Sequence, residues 1–228
     1  MFNLIAASAF FLLIHFAVSG TRLRDGLVRR IGDGPYRGAF ALASVAGLVW
    51  MIYGYRHAPT VALWSQPAAL RPLAFVLVFV AFLFVVIGLA TPSPTQVGKE
   101  GVLQQGADSV RGMLRITRHP FLWGVALWAL IHLVLNGDLA SVVLFGTLAV
   151  LALCGTMSID AKRRRALGAA WAGFAARTSN LPFLALAQGR TRLGLGEHKA
   201  WEWLVVAGAY AVTVALHQTV FGVSPLPA

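Results

Sequence analysis

An all-α fold that crosses a lipid bilayer about six times is the class this sequence predicts, and three observations predict it. Of 228 residues, 58% are hydrophobic and 12% charged, against the roughly 25% charged residues of a water-exposed domain. Mean hydropathy is +0.72, so lipid must be the main solvent. Apolar runs long enough to span a membrane recur along the chain. Finally, the basic residues behind the formal charge of +11 gather in alternate connections between those runs.

The runs cover residues 2–19, 36–55, 73–90, 121–135, 139–158 and 201–221. Strand-type alternation is absent, which argues against a β-barrel. The first run lacks the basic residues that open a secretory leader, and Arg22, Arg24, Arg29 and Arg30 follow it instead. It therefore reads as a first span with its N-terminus outside. Connections on one face then hold 17 of the 19 Lys and Arg residues; only Arg56 and Arg71 fall on the other. Six spans of the inner membrane, with both termini on the periplasmic side, account for that asymmetry.

Residues 1–228 read as a single integral membrane domain whose partner is the bilayer. Nucleic acid is not an expected partner, because the basic residues lie between spans. Lone Cys154 excludes an internal disulfide and a cysteine-based zinc site. Two cytoplasmic segments exceed plain connectors. Residues 91–117 open with Thr91-Pro92-Ser93-Pro94 and end in a basic, partly helical stretch. Residues 160–199 suit an amphipathic helix at the headgroups.

Ionisable groups inside spans are expensive and are functional candidates by default. His57 and His198 lie at edges or in loops. His15 shares a helical stripe with Ser8 and Ser19. His132 has Gly124 and Trp128 below it at four-residue steps; a small residue, a flat aromatic and a nitrogen ligand suit a planar macrocycle. His217 shares its face with Tyr210 and Thr213. Interhelical hydrogen bonds would account for any one of these, but three inward-facing histidines point to a metal or haem. Arg118 and His119 open the fourth span ahead of Pro120, a favoured residue in a first helical turn. They serve either as interfacial anchors or as partners of a cofactor's carboxylates or phosphates. Asn136-Gly137-Asp138 is a tight turn. Lys162-Arg163-Arg164-Arg165 reads as a topogenic, lipid-binding cluster. Asp138 and Glu202 stand at span edges, so a proton relay through buried acids is disfavoured.

Arg115-Ile116-Thr117-Arg118-His119-Pro120, followed by Gly124, Trp128, His132 and Asn136-Gly137, resembles the signature of NnrU proteins and 15-cis-ζ-carotene isomerases. The resemblance includes His15 ahead of Ser19-Gly20, Arg164-Arg165-Ala166-Leu167, the block Arg177-Thr178-Ser179-Asn180-Leu181-Pro182-Phe183, Gly189-Arg190 and His217. It implies a multi-span membrane protein. The carotenoid branch binds b-type haem and moves a central double bond from cis to trans; the NnrU branch is tied to nitrite and nitric oxide metabolism. By resemblance the haem ligands fall on His15 and His132. The isomerase branch has a Cys just before the second ligand, where this chain reads Trp128-Ala129-Leu130-Ile131-His132.

Depth along the spans pairs the histidines differently. His15 lies about 10 Å and His132 about 21 Å above the cytoplasmic edge, a level that His217 shares. Depth alone would join His132 to His217 and His15 to His119. A second resemblance, from Arg118-His119-Pro120 through Gly124 to Leu181-Pro182, is to membrane methyltransferases that use S-adenosylmethionine. Their paired acids are replaced here by Lys162-Arg163-Arg164-Arg165 ahead of Leu167-Gly168. The expectations are thus a haem-binding carotenoid isomerase with a lipid-soluble substrate, a non-catalytic accessory of nitrogen-oxide metabolism, or a structural protein whose histidines bridge helices.

Overall fold

The computed structural model describes residues 1–226, with the side chains of Ala68 and Leu195 left aside. Among the described residues eight α-helices follow one another: α1 Phe2–Leu13, α2 Arg22–Ile31, α3 Asp33–Arg56, α4 Arg71–Ala90, α5 Pro120–Asn136, α6 Leu139–Arg177, α7 Leu184–Ala187 and α8 Ala200–Phe221. The only β-pairing among those residues is an isolated bridge between Ala62 and Asp138. Helices occupy all six apolar runs. Four of them, α3, α4, α6 and α8, are long and apolar enough to cross a bilayer. At 17 residues α5 is shorter. α1 continues into a π-helical turn, Ile14–Val18, and the joined segment bends by 81° into α2; that pair makes a fifth candidate when counted as one broken span.

The chain forms two compact units, Met1–Pro67 with His132–Leu151, and Ala68–Ile131 with the residues from Ala152 onward. In the first, α1 lies along α3 in reverse order. Gly54 abuts the Leu4 backbone, Gly47 the Phe10 and Phe11 rings, and Phe40 the His15 ring. A methyl group at Gly54 would stand 2.8 Å from Leu4 Cα, so glycine lets the backbones close. Small residues do this work where no water drives helices together. The Tyr55 hydroxyl meets Ser141 Oγ at 3.0 Å, and Trp64 Nε1 donates to the Val134 carbonyl at 2.9 Å. Gly137, at φ +71°, turns the chain so that its carbonyl accepts from the Leu63 and Trp64 N–H groups.

In the second unit α4 packs on α5 through two glycines, Gly88 against Pro120 and Gly124 against the Ala81 carbonyl. It meets α8 through Tyr210, whose hydroxyl donates to the Phe75 carbonyl at 2.7 Å while its ring receives Phe75, Phe79 and Phe82 edge-on. Phe84, Ile87, Met113 and Val206 form one core cluster, and Val110, Leu114, Trp171 and Phe174 another. Outward faces stay apolar: Leu42 is 74% and Leu204 72% exposed. Such surfaces belong against lipid tails.

In residues 160–199 α6 continues to a break at Gly168 (φ 50°, ψ −122°), beyond which a separate short helix runs to Arg177. Lys and Arg are good helix formers, so the Lys162–Arg165 cluster carries the helix onward. Residues 91–117, expected to end partly helical, hold two 3-10 segments, Glu100–Ser109 and Gly112–Arg115. Gly106 (φ 58°, ψ −117°) interrupts the first.

Gly54→Val should lower stability by about 1–3 kcal/mol, because the Leu4 backbone has little freedom to retreat. The check is the thermal midpoint in detergent, with Gly208→Ala, which has nothing within 4 Å, as an unaffected control.

Candidate functional site

Two groups of polar side chains stand out, one in each unit. The larger is built on Arg118. Its Nε donates to Asp160 Oδ1 and Oδ2 at 3.0 and 2.9 Å, Nη2 reaches Oδ2 at 2.6 Å, and Nη1 reaches the Thr178 carbonyl at 3.3 Å. Trp171 lies under the guanidinium, 5.8 Å from ring centre to Cζ. His119 is 3% exposed, and its Nε2–H donates to Asp160 Oδ1 at 2.6 Å. Burial disfavours the imidazolium and holds the His119 pKa below the usual histidine value, against the pull of Asp160. His119 is therefore a neutral donor at neutral pH.

Around this pair the segment before α5 is stitched to the segment after α6. The Arg118 N–H donates to the Ser179 carbonyl at 2.9 Å, and Phe183 N–H to the Ile116 carbonyl at 2.8 Å. Thr117 Oγ1 and Trp123 Nε1 both donate to the Asn180 carbonyl, while Asn180 Nδ2 donates to Thr156 Oγ1 at 2.9 Å. Arg190 Nη1 closes the end of α6, donating to the carbonyls of Ala175, Ala176 and Thr178. A second ion pair adds to the stitching. Glu197 takes Arg115 Nε and Nη2 at 2.9 and 2.5 Å and the Gly112 N–H at 2.6 Å. Those donors hold the Glu197 carboxyl down at about 2. The cavity of about 270 Å³ in this unit is lined partly by Arg111, His198 and Lys199 and by none of the predicted site residues.

The other group surrounds His15. This residue sits inside the π turn, marked by the Ser19 N–H donating to the Ile14 carbonyl at 3.0 Å. Single π turns in α-helices often mark functional positions. Here the turn places the imidazole between the rings of Phe11 and Phe40, at 4.5 and 5.1 Å. His15 Nδ1 is 2.7 Å from the Phe11 carbonyl. A carbonyl only accepts, so Nδ1 carries the proton. Committing one nitrogen to a carbonyl orients a histidine that binds metal through the other. His132 packs its ring 5.1 Å from Phe145.

His15 and His132 fall in the same unit, while His217 belongs to the other. His217 Nδ1 donates to the Val223 carbonyl at 2.7 Å, closing the end of α8. Gly124 is accounted for by helix contact with α4, and Trp128 is half-buried. Among the described residues no three His, Cys, Asp or Glu side chains group around a metal position. His15 packs among the Phe11 and Phe40 rings and His132 against Phe145.

Residues 3–225 match the family of NnrU proteins. The chain belongs to the NnrU family. It is also 31% identical over 88 residues to the chloroplastic 15-cis-zeta-carotene isomerase of Zea mays, a stretch covering 39% of this chain and 24% of that protein. No solved structure matches it.

For this NnrU protein the two blocks on which the resemblance rests, 115–120 and 177–183, touch each other. Arg118 and His119 do meet an anion, but it is Asp160 of the same chain. Sequence reasoning placed that residue at the head of a cytoplasmic connector and so missed it. The signal was present: counted from the Gly137 turn, Arg118 lies 19 residues back and Asp160 23 residues on, similar depths in a helical hairpin. Asn180 was visible only as part of its block.

Asp160→Ala should cost about 3–5 kcal/mol by leaving Arg118 buried without a counter-charge. Arg118→Ala should cost a similar amount, and the double variant far less than the sum; chemical denaturation in detergent checks the cycle. The Glu197 pair makes a separate claim about acid. Because the carboxyl is depressed from 4.5 to about 2, its stabilisation is complete above pH 4.5 and lost as the pH falls through about 2. Glu197→Gln should therefore flatten the pH dependence of the thermal midpoint in that window, with the wild type losing more on acidification.

Proposed function

We propose that this protein crosses the inner membrane six times, with both termini outside, and holds a b-type haem between His15 and His132. Its substrate on this reading is a long polyene, a 15-cis carotenoid, isomerised from cis to trans. The seat of His15 carries the proposal. A π turn displaces the ring from the regular helix, and the Phe11 carbonyl accepts from its Nδ1, in the same unit as His132. A haem bound there would supply an iron centre able to lower the barrier to rotation about a polyene double bond. The chain's own part is to hold two imidazoles and pack them against Phe11, Phe40 and Phe145. Apolar outer faces let a lipid-soluble substrate approach through the bilayer. Likeness to the maize isomerase supports the substrate class.

A second reading has its own support. Cysteine does not precede His132, and Cys154 is the sole cysteine of the chain. A redox-exchangeable thiolate next to the second ligand is thus not part of this protein. That favours a non-catalytic haem protein, an accessory or sensor in nitrite and nitric oxide metabolism, as the alternative to an isomerase.

Purified in detergent from a host supplied with a haem precursor, the wild type should show a Soret band. His15→Ala and His132→Ala should abolish it and His217→Ala should retain it; a colourless wild type contradicts haem binding. Rescue of all-trans carotenoid synthesis in a dark-grown host lacking the isomerase then separates enzyme from accessory.

A further inference from the structure

Two side chains in the first unit have no place in the account so far. The Ser8 and Tyr36 hydroxyls are buried, at 5% and 6% exposure, and neither has a hydrogen-bond partner among the described residues. A buried hydroxyl without a partner is costly, and helical Ser normally bonds the carbonyl four residues back. Ser44 does so, donating to the Phe40 carbonyl at 2.8 Å. A buried Tyr likewise usually finds an acceptor.

Both orphans flank the His15 seat. Ser8 lies seven residues before His15 on its helix. Tyr36 lies one turn before Phe40, stacked on that ring at 6.1 Å, and Phe40 in turn meets His15 edge-on. Tyr36 stands beside two arginines that are paired with Asp25 and Asp33. It lies in the opening turns of α3, where the helix dipole favours an anion, and the Arg24 guanidinium lies 5.5 Å over its ring. Arg24 and Arg37 share Asp33 there, and Arg24 also approaches Asp25 at 3.5 Å.

We propose that the Tyr36 hydroxyl donates a hydrogen bond to a propionate carboxylate of the haem held by His15, and so positions the macrocycle. The chemistry names the acceptor, since the peripheral oxygens of a b-type haem are those of its two propionates. A donor that meets this group beside its axial ligand therefore meets a carboxylate. The inference rests on the haem reading above.

The test titrates apo-protein in detergent with haemin and with haemin dimethyl ester, in the wild type and in Tyr36→Phe, following the Soret band. Tyr36→Phe should weaken haemin binding by about tenfold and leave ester binding unchanged, with the apo-protein's thermal midpoint not lowered. Equal haemin affinity in the two proteins, or an equal loss with both porphyrins, overturns the proposal while leaving haem binding intact. Should the variant fail to fold, the wild type still decides: ester bound as tightly as haemin overturns it. A wild type that takes up neither porphyrin overturns the haem reading itself.

Discussion

One buried ion pair holds the join between the start of α5 and the arm beyond α6. Arg118 and Asp160 are 13% and 11% exposed at their side chains, so both gave up most of their hydration on folding. Coulomb attraction repays such a loss only when geometry is good and the remaining donors and acceptors are filled. Here they are filled. Asp160 takes three hydrogen bonds from Arg118 and one from His119, and the Thr178 carbonyl receives Arg118 Nη1. A buried pair of this kind specifies arrangement more than it adds stability. In the observed placement of 115–120 against 177–183 each of these groups has a partner.

That constraint explains why Arg-His-Pro and the block ending Leu-Pro-Phe occur together in one chain. The arginine supplies charge, the histidine a neutral second donor, and the proline starts α5 without an orphaned N–H. Asn180 links the arm onward to Thr156 on α6 and to Trp123 on α5. The unit built this way spends its polar groups on itself. In the other unit His15 meets the Phe11 carbonyl and two aromatic rings, His132 meets Phe145, and the Ser8 and Tyr36 hydroxyls are buried without partners among the described residues.

Much of the fold was legible in the sequence because lipid imposes a simple rule. Apolar runs become helices, as at α3, α4 and α8, whose expected and observed limits differ by three residues or fewer. Charge marked the connectors for the same reason. What stayed hidden was what composition does not encode. The π turn at Ile14–Val18 uses the same residue types as an α-helix, so nothing in the string announces it. Asp160 falls at the end of an apolar run and just before four basic residues, which masked it as a connector residue. The 81° bend after α1 is set by a corner at Gly20 and Thr21, where Thr21 Oγ1 donates to the Ala17 carbonyl and accepts from the Leu23 N–H. His15 and His132 were singled out by residue type and paired by resemblance, although depth alone joined His132 to His217; the two fall in one unit.

The central claim is that two imidazoles from one unit hold the same iron. Electron paramagnetic resonance of the ferric, haem-loaded protein tests it most directly, because two strong axial nitrogen ligands force a low-spin centre. The account predicts a low-spin signal in the wild type that is lost with the haem when His132 is replaced by alanine and kept when His217 is replaced. A high-spin signal in the wild type, or a low-spin signal that survives loss of His132, would contradict it.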